Sequence, residues 1–114
     1  MINVALIGCG FMGRMHANVV HSLQNAQLVA VIDKLPEKAA SLAESFGGTV
    51  YADLATALAS EKVDAVDICL PTHLHASATI QAANAGKHVM CEKPMALSLE
   101  EADSMTAACQ ANGV

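Results

Sequence analysis

The stretch Ile2-Asn3-Val4-Ala5-Leu6-Ile7-Gly8-Cys9-Gly10-Phe11-Met12-Gly13 decides how the rest of the chain is read. Asn3 to Ile7 is an apolar run stopped by glycine, which reads as a strand. From Met12 to Gln24, Met12, Met15, Val19 and Leu23 recur at spacings of three and four, which marks an amphipathic helix. The glycines between them fit GxGxxG, a weak pattern alone but a meaningful one between a strand and a helix. Gly8 permits the tight turn, Gly10 lets a pyrophosphate approach the backbone, and Gly13 lets the helix pack close to the sheet. The free amides at Phe11 and Met12, at the positive end of the helix, suit phosphate charge.

The same alternation continues. Gln27 to Ile32 is a second strand, and Pro36 opens a helix that Gly47-Gly48 closes. Thr49 to Tyr51 is a short strand, and Asp53 caps a brief helix to about Ala59. Ala65 to Leu70 is the fourth strand, stopped by Pro71; Thr72 caps a helix that ends at Gly86, and His88 to Cys91 is the fifth strand. Ser98 and Glu101 form a capping box before a last helix with Leu99, Ala102, Met105 and Cys109 on one face, ended by Asn112-Gly113. Strands alternating with helices imply an α/β fold, a Rossmann-type doubly wound parallel sheet of about five strands with helices on both faces. Asp67 stands inside the fourth strand, where a carboxylate needs a hydrogen bond or an edge position.

Composition narrows the class. With 114 residues there is room for one domain. Hydrophobic residues make up 54% and charged residues 15%, which excludes intrinsic disorder. Six basic residues against eleven acidic ones, with Arg14 the only arginine, leave no footprint for nucleic acid. No apolar run reaches the roughly 20 residues of a membrane span. Met1 to Ile7 lacks a basic leader and reads as strand rather than signal peptide. Cys9, Cys69, Cys91 and Cys109 make no CxxC pair and no zinc spacing, so no metal is expected and a reducing cytoplasm is the natural setting.

In an open parallel sheet ligands bind outside the carboxyl ends of the strands. Asp33 ends the second strand, twenty residues beyond Gly13, where its carboxylate can accept from both ribose hydroxyls of an adenosine and repel a 2′-phosphate. NAD is favoured over NADP, although the neighbouring Lys34 permits dual use. The fourth strand ends in Leu70-Pro71-Thr72-His73-Leu74-His75 and the fifth in Cys91-Glu92-Lys93-Pro94. His75 is expected in the first helical turn, facing the cleft, with His73 turned to solvent and His16 a packed polar residue. Lys93 can stabilise an alkoxide as hydride leaves a carbinol, or be an ordinary loop lysine.

The Gly8–Gly13 turn continuing into Arg14-Met15-His16-Ala17, the segment Pro71-Thr72-His73-Leu74-His75, and Gly86-Lys87-His88-Val89-Met90-Cys91-Glu92-Lys93-Pro94 together resemble the Gfo/Idh/MocA oxidoreductases, with inositol-dehydrogenase-like members nearest. The resemblance runs over essentially the whole chain. It implies an NAD(P)-binding Rossmann domain in an enzyme that oxidises sugar-like or polyol carbinols or reduces the matching ketones. It implies that Lys93 positions substrate and tunes proton transfer, that Glu92 and His75 lie along the nicotinamide half, and that Thr72 lies near the diphosphate and nicotinamide ribose. Asp33 would be the adenine-ribose acid, and Gly8, Gly10, Phe11, Met12, Gly13, Lys34, Leu70 and Pro71 would line the cofactor.

Members of that family run to three hundred residues or more and carry a second α/β domain whose Asp and His complete the proton relay. This chain stops at Val114. The expectation is therefore a cofactor-binding domain without its substrate domain, which binds cofactor without turnover and tends to self-associate. A non-catalytic NAD(P) or adenosine-nucleotide sensor is the alternative, disfavoured by Glu92-Lys93-Pro94.

Overall fold

The structure, a computed structural model, describes residues 1–114. Five parallel strands alternate with five helices: β1 (Ile2–Ile7), α1 (Phe11–Ser22), β2 (Ala26–Ile32), α2 (Pro36–Phe46), β3 (Thr49–Tyr51), α3 (Leu54–Ser60), β4 (Ala65–Ile68), α4 (His75–Asn84), β5 (His88–Cys91) and α5 (Leu99–Ala111). The sheet order is β3-β2-β1-β4-β5. The crossover therefore reverses direction at β1, and a crevice opens beyond the carboxyl ends of β1 and β4. This is the expected α/β Rossmann architecture.

Period-two alternation sends each strand's side chains to both faces, and both are covered. Val4, Leu6 and Val31 pack with Ala17, Val20, Ala39 and Leu42 beneath α1 and α2. Ala5, Ile32, Val66 and Ile68 pack with Leu54, Ala57, Ala78 and Ala82 beneath α3 and α4. Ile68 is fully enclosed, and truncating such a side chain to Ala costs about 2–5 kcal/mol. β5 lies at one edge, with Val89 and Cys91 against the α4 side. Alternation then places Met90 on the α1 side, where it is 59% exposed.

Four local expectations are corrected. The residues α1 buries are Gly13, Ala17 and Val20, while Met12, Met15, Val19 and Leu23 stay exposed. Close approach to the sheet needs small residues at the contact, and the large apolar ones are left on the far side. β4 ends at Ile68 instead of Leu70, and Thr72 does not cap α4. It begins a short 3₁₀ turn (Thr72–Leu74), and α4 starts at His75 with no side-chain cap. On α5 Met105 is buried, Ala102 and Cys109 are half-buried, and Leu99 is exposed. The Asp53 and Ser98 caps form as expected, accepting from the amides of Thr56 and Glu101, but the Glu101 carboxylate accepts from the Leu97 amide instead of that of Ser98, so only half of the capping box forms.

Candidate functional site

The turn after β1 is fixed by contacts that only glycine permits. Gly8 has φ +97°, and a Cβ there would meet the Cys69 carbonyl oxygen at 2.5 Å. A Cβ on Gly13 would stand 1.9 Å from the Gly8 carbonyl oxygen, so the first turn of α1 rests directly on the loop. Gly10 differs: a Cβ there would meet nothing within 4 Å. The space over Gly10 is open, as a site needs if a ligand is to lie against the backbone.

Helix geometry leaves the first amides of α1 without acceptors. Those of Gly10, Phe11, Met12 and Gly13 donate to no group of the protein, and the first bond of the helix runs from the Arg14 amide to the Gly10 carbonyl. Gly10 as N-cap supplies no side-chain acceptor either. Of these donors, Gly10, Phe11 and Met12 belong to the wall of a cavity of about 700 Å³, which Asp33, Leu70 and Pro71 also line. That volume lies within the range of roughly 300–1,000 Å³ usual for ligand pockets. Gly8 and Lys34 also line it, whereas Gly13 lies behind, in the helix–sheet contact.

Asp33 is braced by the backbone it faces. Its Oδ2 accepts from the Cys9 amide at 2.9 Å and its Oδ1 from the Leu35 amide at 2.9 Å. Each oxygen keeps a second lone pair for another donor. A dinucleotide fits this wall: unpartnered amides for the phosphates, an oriented carboxylate for the ribose, and no Cβ in between. Cys9 is no nucleophile, because burial, with Asp33 adding to it, pushes its thiol up to about 12.

Sequence reasoning missed Lys38, which shares the cavity with Asp33 and Lys34, and Asp53 at the start of α3. Lys38 lies in the first turn of α2, just past the strand end that carries Asp33, and that placement was the available signal. His73 is exposed as expected, yet it borders the cavity. Thr72, Glu92 and Lys93 lie outside the cavity walls, Thr72 and Glu92 half-buried and Lys93 exposed.

His75 does not face the cleft. It is 1% exposed, with Nε2 2.7 Å from the Leu70 carbonyl oxygen and Nδ1 2.9 Å from that of Pro94. The ring belongs to the fold beneath the site because α4 begins one residue after the 3₁₀ turn and carries its first side chain inward.

The buried Asp67 finds its partner in His16, whose Nδ1 lies 3.0 and 2.9 Å from the two carboxylate oxygens. His16 Nε2 stands 3.3 Å from Glu92 Oε1. Burial pushes the Asp67 carboxyl above the usual carboxylate range, and the His16 hydrogen bond draws it partway back. Cys69 donates to Asp67 Oδ1 at 3.7 Å, and its own thiol is pushed far up by burial. His16, Asp67 and Cys69 bring ligand-type atoms within 4.8 Å of one another. Hydrogen bonding accounts for that closeness, with a protonated thiol and a ring nitrogen both directed at the carboxylate.

A family described as "Oxidoreductase family, NAD-binding Rossmann fold", the GFO_IDH_MocA family, matches residues 2–114. The chain belongs to the Gfo/Idh/MocA oxidoreductases. Its relatives include a 2,7-anhydro-N-acetylneuraminate hydratase of Mediterraneibacter gnavus, 37% identical over 99% of this chain and 30% of that one. They also include an inositol 2-dehydrogenase of Rhizobium meliloti, 39% identical over 87% of this chain and 30% of that one. Among solved structures, GenD2 from gentamicin A biosynthesis, in complex with NAD, superimposes with a TM-score of 0.95 at 35% identity, over 99% of this chain and 32% of that one. The chain thus spans about 30% of the length of the curated relatives it matches. As a Gfo/Idh/MocA domain it is an NAD-binding Rossmann fold. No helix in it is long and apolar enough to cross a membrane.

Proposed function

We propose that this Gfo/Idh/MocA domain holds the dinucleotide for an enzyme that moves hydride between a sugar-like or polyol carbinol and nicotinamide, with NAD favoured over NADP. The observation that carries the proposal is the meeting of three unpartnered amides, Gly10 to Met12, with the braced carboxylate of Asp33 at one open cavity. The amides and the α1 dipole hold the diphosphate. Asp33 accepts from the adenine-ribose hydroxyls, and Lys34 with Lys38 beside it keeps a 2′-phosphate tolerable. Thr72 and Glu92 serve the nicotinamide half, while Leu70 and Pro71 form the floor.

When bound, nicotinamide supplies the hydride acceptor. Lys93 donates to the substrate oxygen and stabilises the negative charge that it carries once the hydroxyl proton has left and before hydride leaves the carbon. No residue here is placed to take the hydroxyl proton, so the domain by itself binds cofactor without turnover. Neither nucleic acid nor a membrane is a partner in this reading, and the cytoplasm is its setting.

Calorimetry with NAD and with NADP tests the first half. NAD should bind more tightly, and Asp33→Ala should reverse or erase the preference. Absence of heat with both, on a folded sample, sinks the proposal. In the whole enzyme Lys93→Met should lower kcat about 10²–10³-fold with cofactor affinity unchanged. A variant with undiminished kcat would refute the role of Lys93, whereas a whole protein that binds NAD but turns over no sugar or polyol would point to the sensor reading instead.

A further inference from the structure

The segment from Lys93 to Ala96 follows β5 with no main-chain hydrogen bond of its own. The last before it joins the Glu92 amide to the Ile68 carbonyl, at 3.0 Å. The next amide with a partner is that of Leu97, which donates to Glu101 Oε2 at 3.1 Å. Lys93 itself is exposed and makes neither a hydrogen bond nor an ion pair. A long cationic side chain on such a segment has large conformational freedom, whereas catalysis needs placement to about 0.5 Å.

Two imidazoles supply what the backbone lacks, one from each side of the sheet. From α1, His16 braces on the buried Asp67 and stands 3.3 Å from the carboxylate of Glu92, the residue before Lys93. From α4, His75 is 2.9 Å from the carbonyl oxygen of Pro94, the residue after Lys93, and 3.3 Å from that of Met95. The other nitrogen of each ring stands against β4 or the residues just after it, at the Asp67 carboxylate or the Leu70 carbonyl; every partner is an acceptor oxygen, so holding both at once takes an N–H on each ring nitrogen. Each also sits on an element that shapes the cofactor cavity. His16 lies one turn beyond the amides that open α1, and His75 bonds the carbonyl beside Pro71.

We propose that His16 and His75 are paired positioning residues, an imidazole clamp that holds the residue before Lys93 by its side chain and the residues after it by their main-chain carbonyls, and ties the segment to the walls of the cofactor cavity. The inference rests on the reading of Lys93 as the group beside the reacting carbon. A ring that merely filled space would stabilise the fold without changing the order of residues 92–96 in particular. The clamp changes that order first.

The test uses ¹⁵N relaxation on the full chain. In the unaltered protein the amides of Glu92, Lys93, Met95 and Ala96 should be as rigid as the strands, with order parameters of about 0.85. His16→Gln and His75→Gln should each bring Lys93, Met95 or Ala96 below about 0.6, with β3 and α2 unchanged and NAD affinity kept within about threefold. Order parameters at 92–96 that stay high in a folded His16→Gln protein would overturn the clamp. Because His75 is fully buried, its half is also read in the unaltered protein, from scalar coupling across the His75 Nδ1–H to Pro94 carbonyl bond; absence of that coupling overturns that half. In the whole enzyme both variants should lower kcat roughly tenfold with KM for NAD unchanged. Lys93→Met separates the two proposals: unchanged turnover there refutes the role of Lys93, while the relaxation measurements judge the clamp on their own.

Discussion

Single residues divide here into those that make the fold and those that leave room in it, and Gly13 and Gly10 show the difference. Gly13→Ala drives a methyl into the Gly8 carbonyl oxygen, and overpacking of this kind costs about 1–3 kcal/mol or more. Gly10→Ala adds its methyl to open space at an ordinary φ of −80°, so stability should change by less than about 0.5 kcal/mol. The same methyl stands where the diphosphate must lie, so NAD affinity should fall at least tenfold. Thermal melts and calorimetry on the two variants read both effects. Equal losses of affinity with equal losses of stability would show that the turn has no binding role. Asp67 carries a pH signature as well. Its folded carboxyl titrates above the ordinary 3.8, so between that value and the folded one the native state holds the extra proton. Stability therefore falls as pH rises through that window. Asp67→Asn lacks this titration, and its stability should gain on the parent protein across the same range in chemical denaturation; parallel curves would remove the argument.

At the scale of elements, the caps are the plainest lever. Ser98→Ala removes the acceptor for the Glu101 amide and should destabilise α5 by about 1 kcal/mol, readable as a lower midpoint in urea. β3 and β5 were legible to the residue, because glycine or proline bounds each of these short β-rich runs. The existence of every helix was legible too, but the buried face of α1 was not. Periodicity weighs large apolar side chains, and Met12, Met15, Val19 and Leu23 carry that signal while Gly13 and Ala17 make the contact. The row of small residues at thirteen and seventeen was the overlooked clue. The cavity wall at Gly8 to Met12 and Asp33 followed from spacing, since strand ends and glycine turns have fixed geometry. The direction of the His75 ring did not, because it depends on a 3₁₀ turn that no residue type announces. Asp67 and His16 were each out of place alone, and only the packing of α1 over β4 shows them as one pair.

For the whole molecule, the apolar stripe on α1 and Met90 at the sheet edge lie on the same side of the sheet, exposed. Edge strands and apolar faces of this kind favour self-pairing. The isolated chain should therefore associate as concentration rises. Light scattering should show mass growing toward millimolar protein, and Met15→Glu with Val19→Glu should restore a monomer. A monomer at all concentrations would end that expectation.

The place of β1 at the centre of the sheet has a consequence for how the chain is born. Val4 pairs with Leu28 on one side and with Ala65 on the other. This strand, the earliest of the five to be synthesised, thus gains its second neighbour only after dozens of further residues have emerged. At synthesis rates of roughly 5–20 residues per second this delay lasts seconds. During that interval the segment carrying the nucleotide turn is a natural client for a holdase, and slowing translation between β2 and β4 should lengthen its capture.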